Sequence, residues 1–108
     1  MLTTIGCDVT AVRDEHECLR EFRDRKYNLV IFDQDLPKFD VRGFVDDLGE
    51  IDELTPVAMM VTLDVEFYQE KYGDSNIDFL IVKPFDLGQL RNLVEEAMRL
   101  CQRLKRTA

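Results

Sequence analysis

The sequence contains no tryptophan, a single histidine, three prolines and five glycines among its 108 residues. Because proline and glycine are scarce and no stretch has linker composition, we expect one domain spanning residues 1–108. The three cysteines, Cys7, Cys18 and Cys101, have no C-x-x-C spacing, and only His16 could add an imidazole ligand. This pattern favours reduced thiols over disulfides or a zinc site.

Long hydrophobic runs are also missing. No apolar run approaches the roughly 20 residues of a membrane-spanning helix, and the first ten residues lack the basic and apolar regions of a signal peptide. We therefore expect a cytoplasmic protein with no membrane partner. Acidic residues outnumber basic ones by 22 to 14, which gives a net charge of −8, and a field of this sign argues against direct nucleic-acid binding.

Three short runs are apolar throughout, as expected for strands buried on both faces of a parallel sheet. They are LVIF at 29–32, VAMMV at 57–61 and FLIV at 79–82. A fourth run, DVTAV at 8–12, is short and β-branched and also predicts a strand. A stretch with helical spacing follows each run, so the alternation predicts an α/β domain of three layers with a parallel sheet.

Capping residues mark the predicted helix boundaries. Asp14 and Asp86 are each followed three residues later by Glu or Gln, the spacing of a capping box. Gly73 is the residue expected at a left-handed C-terminal stop. The stretch 41–48 is amphipathic but is weakened by glycine, so packing has to hold it as a helix.

Polar side chains directly follow three of the apolar runs: Asp33, Thr62 and Lys83. Ligands of parallel α/β sheets bind outside the carboxyl ends of the strands, so these three residues should share one edge. A carboxylate can act as a nucleophile, and a hydroxyl and an ammonium can donate to phosphoryl oxygens. The set therefore predicts a phosphoryl-transfer site. The proline after Lys83 stops its strand, and an X-Pro bond can be cis.

The segments around these residues resemble the receiver domain of two-component response regulators. They are NLVIFDQDLP at 28–37, PVAMMVT at 56–62 and FLIVKPF at 79–85, in the order and approximate spacing of that family. The resemblance implies a flavodoxin-like fold and a phosphoacceptor function in phosphorelay signal transduction.

The resemblance also implies roles for individual residues. Asp33 would accept a phosphoryl group from a histidine kinase or a phosphotransfer protein, Thr62 would move toward that group, and Lys83 would contact it. Bound Mg²⁺ would be held by Asp33 and by the backbone carbonyl of Asp35. Enzymatic activity would be limited to autophosphorylation and autodephosphorylation at Asp33.

The first departure from the family pattern concerns the N-terminus. The chain begins near the end of the family's first helix, so we expect an N-terminally truncated domain without the acidic pair that holds the metal, and weak or lost Mg²⁺ binding. Asp14 and Glu15 would replace that pair only if the run 8–12 paired beside 29–32. A helix cap is the favoured interpretation of Asp14.

A second departure concerns the strand before Lys83. Leu80 lies where the family usually has an aromatic switch residue, and the aromatic residue Phe79 is displaced by one position. A displacement of one turns a strand side chain to the opposite face, so Phe79 should not replace it.

Two alternatives remain open from the sequence. One is a pseudo-receiver that acts only as a protein–protein interaction module. The other is a haloacid-dehalogenase-like phosphatase, because VIFDQD at 30–35 is similar to the Asp-x-Asp motif of those enzymes and GDSNID at 73–78 to their late acidic motif. Their acidic motif follows the lysine, whereas Asp74 and Asp78 precede Lys83, so the phosphatase is less favoured.

The expected truncation has a consequence for association. Without the family's first strand and helix, apolar sheet surface would be uncovered, and such surfaces are usually covered by a partner. We therefore expect a homodimer or a larger host protein. The last helix, with Leu90, Val94, Ala97 and Cys101, should lie near the contact.

Overall fold

The computed structural model describes residues 10–35, 39–62 and 64–107, with side chains described to residue 103. Its three strands are β1 (Val30–Asp33), β2 (Val57–Val61) and β3 (Phe79–Val82). Its four helices are α1 (Glu15–Asp24), α2 (Val41–Ile51), α3 (Val65–Tyr72) and α4 (Leu87–Thr107). Helices and strands alternate from α1 to α4, as the hydrophobic pattern predicts.

The strands form one parallel sheet in the order β1–β2–β3. Asp33 at the end of β1 is in register with Met60, and Val61 at the end of β2 is in register with Val82. The carboxyl ends of all three strands therefore lie at the same edge of the sheet.

One face of the sheet packs against α1, α2 and α3. Phe22 of α1, Leu48 of α2 and Tyr68 of α3 are buried there with the strand residues Phe32 and Met59. Alternate strand residues face this layer because side-chain direction has a period of two along a strand.

The other face of the sheet packs against α4. Leu90 and Leu93 of this helix are buried with Ala58 of β2 and Ile81 of β3. With helices on both faces, the predicted three-layer arrangement is confirmed. No helix in the described part of the chain is long and apolar enough to cross a membrane.

The predicted strand over DVTAV is wrong for Thr10–Val12, which have no strand conformation; Asp8 and Val9 lie outside the described residues. Thr10 instead accepts a hydrogen bond at its hydroxyl from the Tyr27 hydroxyl at 3.1 Å. β-Branched composition favours a strand only where a neighbouring strand pairs with the backbone. In the described sheet, β1 pairs only with β2.

The helix starts are confirmed, but the expected left-handed stop at Gly73 is wrong. Asp14 caps α1 by accepting from the Glu17 N–H at 2.8 Å, and Asp86 and Gln89 cap α4 reciprocally at 2.8 and 2.9 Å. Gly73 has right-handed angles, φ −63° and ψ −22°. A Cβ there would lie 2.5 Å from the Gln69 carbonyl oxygen, so a close backbone approach explains the glycine.

The predicted contact surface on α4 is largely buried within the chain itself. Leu90, Ala97 and Cys101 are at most 4% exposed, and only Val94 of the four is partly exposed. These three side chains are therefore not available for an intermolecular contact, and the expectation that the helix lies near one stays a prediction. The long apolar face of α4 is explained by its packing inside the domain.

Candidate functional site

Asp33 and Lys83 are positioned by the ends of two strands that both pair with β2. The parallel pairing continues one residue beyond the strands, since the Gln34 N–H donates to the Met60 carbonyl at 3.2 Å and the Lys83 N–H to the Val61 carbonyl at 2.7 Å. This backbone pairing holds both residues at the same edge. The Lys83 ammonium donates to Asp33 Oδ2 at 2.7 Å, and each side chain is 30% exposed.

Asp35 and Thr62 complete the cluster at this edge. The Asp35 N–H donates to Asp33 Oδ1 at 2.9 Å. The Asp35 carboxylate lies 3.7 Å from the Lys83 ammonium and accepts from the Thr62 hydroxyl at 3.4 Å. The structure thus brings together Asp33, Thr62 and Lys83, the three residues predicted to share the edge. Lys83–Pro84 is a cis peptide bond.

The ion pair shifts the pKa of both partners. Burial acts to raise the pKa of Asp33, but the hydrogen bond from Lys83, the Asp35 N–H and the attraction of the ammonium together lower it. The hydrogen bond to Asp33 raises the pKa of Lys83, with burial opposing it and the charges of Asp33 and Asp35 adding to it. At neutral pH the site therefore holds an ionised Asp33 carboxylate and a protonated Lys83 ammonium.

We expect a carboxyl ¹³C NMR titration to give Asp33 a pKa below its ordinary value, and Lys83→Met to raise it. The depressed pKa means that this pair stabilises the fold above about pH 4 and that the contribution is lost as the pH falls through the lower pKa of folded Asp33. Lys71→Met is the matched control, because that ammonium lies over the Phe67 and Tyr72 rings. An Asp33 pKa that is the same in wild type and Lys83→Met would contradict the ion pair.

Gln34 and Tyr68 also belong to this cluster, and sequence reasoning missed them. The Gln34 side-chain amide donates to the Tyr68 hydroxyl at 3.1 Å and also donates to the Asp35 carboxylate. Tyr68 is only 2% exposed. A tyrosine on the buried face of a helix usually needs a partner for its hydroxyl, which is the signal in the sequence that could have indicated it.

Asp14 and Glu15, the candidate replacements for an acidic metal-binding pair, are placed in the first turn of α1. Asp14 uses its carboxylate as the helix cap, and Glu15 is the first residue of the helix. The strand pairing that would bring them beside Asp33 is not formed by Thr10–Val12. Within the described residues, no group of three or more acidic, histidine or cysteine side chains is arranged to hold a metal ion.

The acidic motif that suggested a phosphatase lies elsewhere. Asp74 pairs with Arg42 at 2.7 Å, and Asp78 accepts from the Val57 N–H at 2.8 Å. Val57 begins β2, so Asp78 lies at the amino end of the sheet, opposite to Asp33. The two carboxylates are therefore structural and do not reach the candidate site.

Phe79 and Leu80 face opposite sides of the sheet, as predicted. Phe79 packs with the cluster under α4, whereas Leu80 packs with the cluster that contains Tyr68. The β2–β3 register runs without a bulge from Phe79 to Val82. Phe79 therefore does not replace an aromatic residue at position 80.

A family model described as "Response regulator receiver domain" matches residues 1–95. A probable transcriptional regulator ycf27 from Porphyridium aerugineum is 30% identical over 98 residues, which cover 91% of this chain and 40% of that protein. A second ycf27 protein, from Cyanidium caldarium, is 24% identical over 94% of this chain and again 40% of its own length. The chain thus spans about two fifths of these relatives.

Solved structures show the same fold. The Vibrio cholerae chemotaxis protein CheY4 has a TM-score of 0.80 at 20% identity, covering 89% of this chain and 82% of that one. The receiver domain of the Pseudomonas aeruginosa sensor histidine kinase PA1611, with a magnesium ion in its active-site cleft, has a TM-score of 0.78 at 18% identity, covering 90% and 81%.

Proposed function

Because the chain belongs to the family of response regulator receiver domains, we propose that it accepts a phosphoryl group on Asp33 from a histidine kinase or a phosphotransfer protein. The observation that carries the proposal is the contact of Asp33 with Lys83 at the carboxyl edge of the sheet, 2.7 Å between charged atoms. Thr62 lies at the same edge, in contact with Asp35.

The residues at this edge support an in-line transfer. The ionised Asp33 carboxylate attacks phosphorus, its new O–P bond forms, and the P–N bond of a phosphohistidine donor breaks so that the electron pair returns to the imidazole. Lys83 and Thr62 can donate to the phosphoryl oxygens as charge develops on them. The low pKa of Asp33 keeps the nucleophile ionised at neutral pH.

The oxygen atoms at the site fit a hydrated Mg²⁺. Asp33 presents a partly exposed carboxylate at the edge, and the backbone carbonyl of Asp35 is a second candidate ligand. Mg²⁺ is commonly held by one or two carboxylates while it keeps several waters. When bound, the ion would neutralise charge on the phosphoryl oxygens.

We expect Mg²⁺ binding to be weak and indifferent to Asp14→Ala, since the Asp14 carboxylate caps α1. Asp33→Asn should weaken it further, because it removes the carboxylate that is a candidate ligand. NMR amide shifts followed during a Mg²⁺ titration measure this for the three proteins. Submillimolar binding that is lost in Asp14→Ala would contradict the assignment and favour Asp14 as a ligand.

The test of the function is incubation with acetyl phosphate and Mg²⁺, followed by intact mass spectrometry. We expect the addition of one phosphoryl group, which hydroxylamine should remove because an acyl phosphate is reactive toward this nucleophile. A folded protein that takes up no phosphoryl group and no fluoroberyllate at saturating Mg²⁺ would instead be a pseudo-receiver, acting only through protein–protein contacts.

A further inference from the structure

The Asp35 carboxylate contacts three side chains at the candidate site. Its Oδ2 accepts from the Thr62 hydroxyl at 3.4 Å and lies 3.7 Å from the Lys83 ammonium. Its Oδ1 accepts from the Gln34 amide. Asp35 therefore contacts both groups that the proposed function assigns to the phosphoryl oxygens.

Hydrogen bonds link this carboxylate to the interior of the domain. The Gln34 amide that donates to Asp35 also donates to the Tyr68 hydroxyl at 3.1 Å. Tyr68 is 2% exposed in α3, whereas the Asp35 side chain is 43% exposed. The contacts run from Tyr68 through Gln34 to Asp35, and from Asp35 to Thr62 and Lys83.

The negative charge of Asp35 disfavours the addition of an anion at this site. Asp33 and Asp35 share one ammonium, that of Lys83. A phosphoryl group on Asp33 adds negative charge beside the Asp35 carboxylate, and like charges at this range repel. The new group also needs Lys83 and Thr62 as donors, and both of these contact Asp35 in the unmodified protein.

We propose that Asp35 is a positioning residue that holds the Thr62 hydroxyl and shares Lys83 in the unmodified protein, and thereby lowers the affinity of Asp33 for a phosphoryl-like anion. The inference rests on the proposed function, because it assigns Asp33 as the acceptor. The Gln34–Tyr68 hydrogen bond orients the Asp35 carboxylate for this role.

Fluoroberyllate, which occupies a carboxylate in the manner of a phosphoryl group, is the equilibrium probe. At saturating Mg²⁺, Asp35→Asn should lower the fluoroberyllate concentration for half-maximal occupancy roughly three- to tenfold, as expected for removal of one nearby charge. The difference should shrink in high salt, because a surface charge effect is screened. Asp47→Asn, the same change at an exposed position of α2, should leave the value unchanged.

A half-maximal concentration that is unchanged or raised in Asp35→Asn would overturn the proposal. The unmodified protein gives a second readout, since the three-bond couplings of Thr62 report its side-chain rotamer. Asp35→Asn should change that rotamer population, and an unaltered population would also count against the proposal. If wild type takes up no fluoroberyllate, the proposed function fails, and the rotamer of Thr62 still decides whether Asp35 positions it.

Tyr68→Phe tests whether the Gln34–Tyr68 hydrogen bond orients Asp35, because it removes only the hydroxyl. We expect it to change the Thr62 rotamer population in the same direction as Asp35→Asn and by a smaller amount. Tyr72→Phe is the matched control on the same helix, since the described residues make no hydrogen bond to its hydroxyl. Equal effects of the two tyrosine variants, or no effect of Tyr68→Phe, would remove Tyr68 from the network.

Discussion

Asp33→Asn is expected to abolish phosphoryl incorporation from acetyl phosphate. The change keeps the size of the side chain but replaces the carboxylate nucleophile with an amide, which cannot form a stable acyl phosphate. Asp33 is the residue whose backbone is fixed by the end of β1 and whose Oδ2 contacts Lys83 at 2.7 Å. Intact mass spectrometry should show full incorporation in wild type and none in the variant.

Asp35 is the alternative acceptor, and the experiment separates the two. Borohydride reduction of the modified wild type, followed by peptide mass spectrometry, should identify position 33 as the acyl phosphate. Asp47→Asn should be modified like wild type, because it changes an exposed carboxylate of α2. Incorporation that survives in Asp33→Asn, or a reduced residue at position 35, would contradict the assignment of Asp33 as the acceptor.

The sequence predicted the strands and the site by the same argument. Continuous apolar runs indicated strands buried on both faces, and strands of that kind are typical of a parallel sheet covered by helices. Once the sheet is parallel, Asp33, Thr62 and Lys83 have to meet at one edge, because each follows a strand directly. Their proximity therefore needed no information on side-chain packing.

Other features depended on packing or on a partner strand, and the sequence did not predict them correctly. DVTAV has strand composition, but no strand of the described sheet pairs with Thr10–Val12. The contact of Gln34 with Tyr68 joins residues that are 34 positions apart, and Tyr68 lies outside the three segments that resemble the receiver family. Gly73 was assigned a left-handed conformation, whereas the glycine is explained by the approach of the Gln69 carbonyl.

The stability of helix α2 depends both on its local sequence and on its packing against the sheet. Gly43 and Gly49 lower its intrinsic stability by about 1 kcal/mol each relative to alanine. Asp40 offsets part of this by capping the helix at the Gly43 N–H. The rest has to come from its buried face, where Val45 and Leu48 are each 1% exposed.

Leu48→Ala should therefore lower the free energy of unfolding by about 3–5 kcal/mol, the range for a fully buried leucine that leaves a cavity. A small domain has roughly 5–15 kcal/mol in total, so much of the protein would be unfolded at moderate temperature. Urea unfolding followed by far-ultraviolet circular dichroism measures the change. Leu48→Met, which nearly conserves volume, should cost less than about 1.5 kcal/mol.

The pair of variants also tests how α2 is held. If Leu48→Ala costs less than about 1 kcal/mol, the cavity must collapse easily and packing is not what holds the helix. If both variants cost the same large amount, the shape of leucine matters more than buried volume. We expect the two variants to differ greatly in free energy of unfolding, because α2 is intrinsically weak and depends on its contact with the sheet.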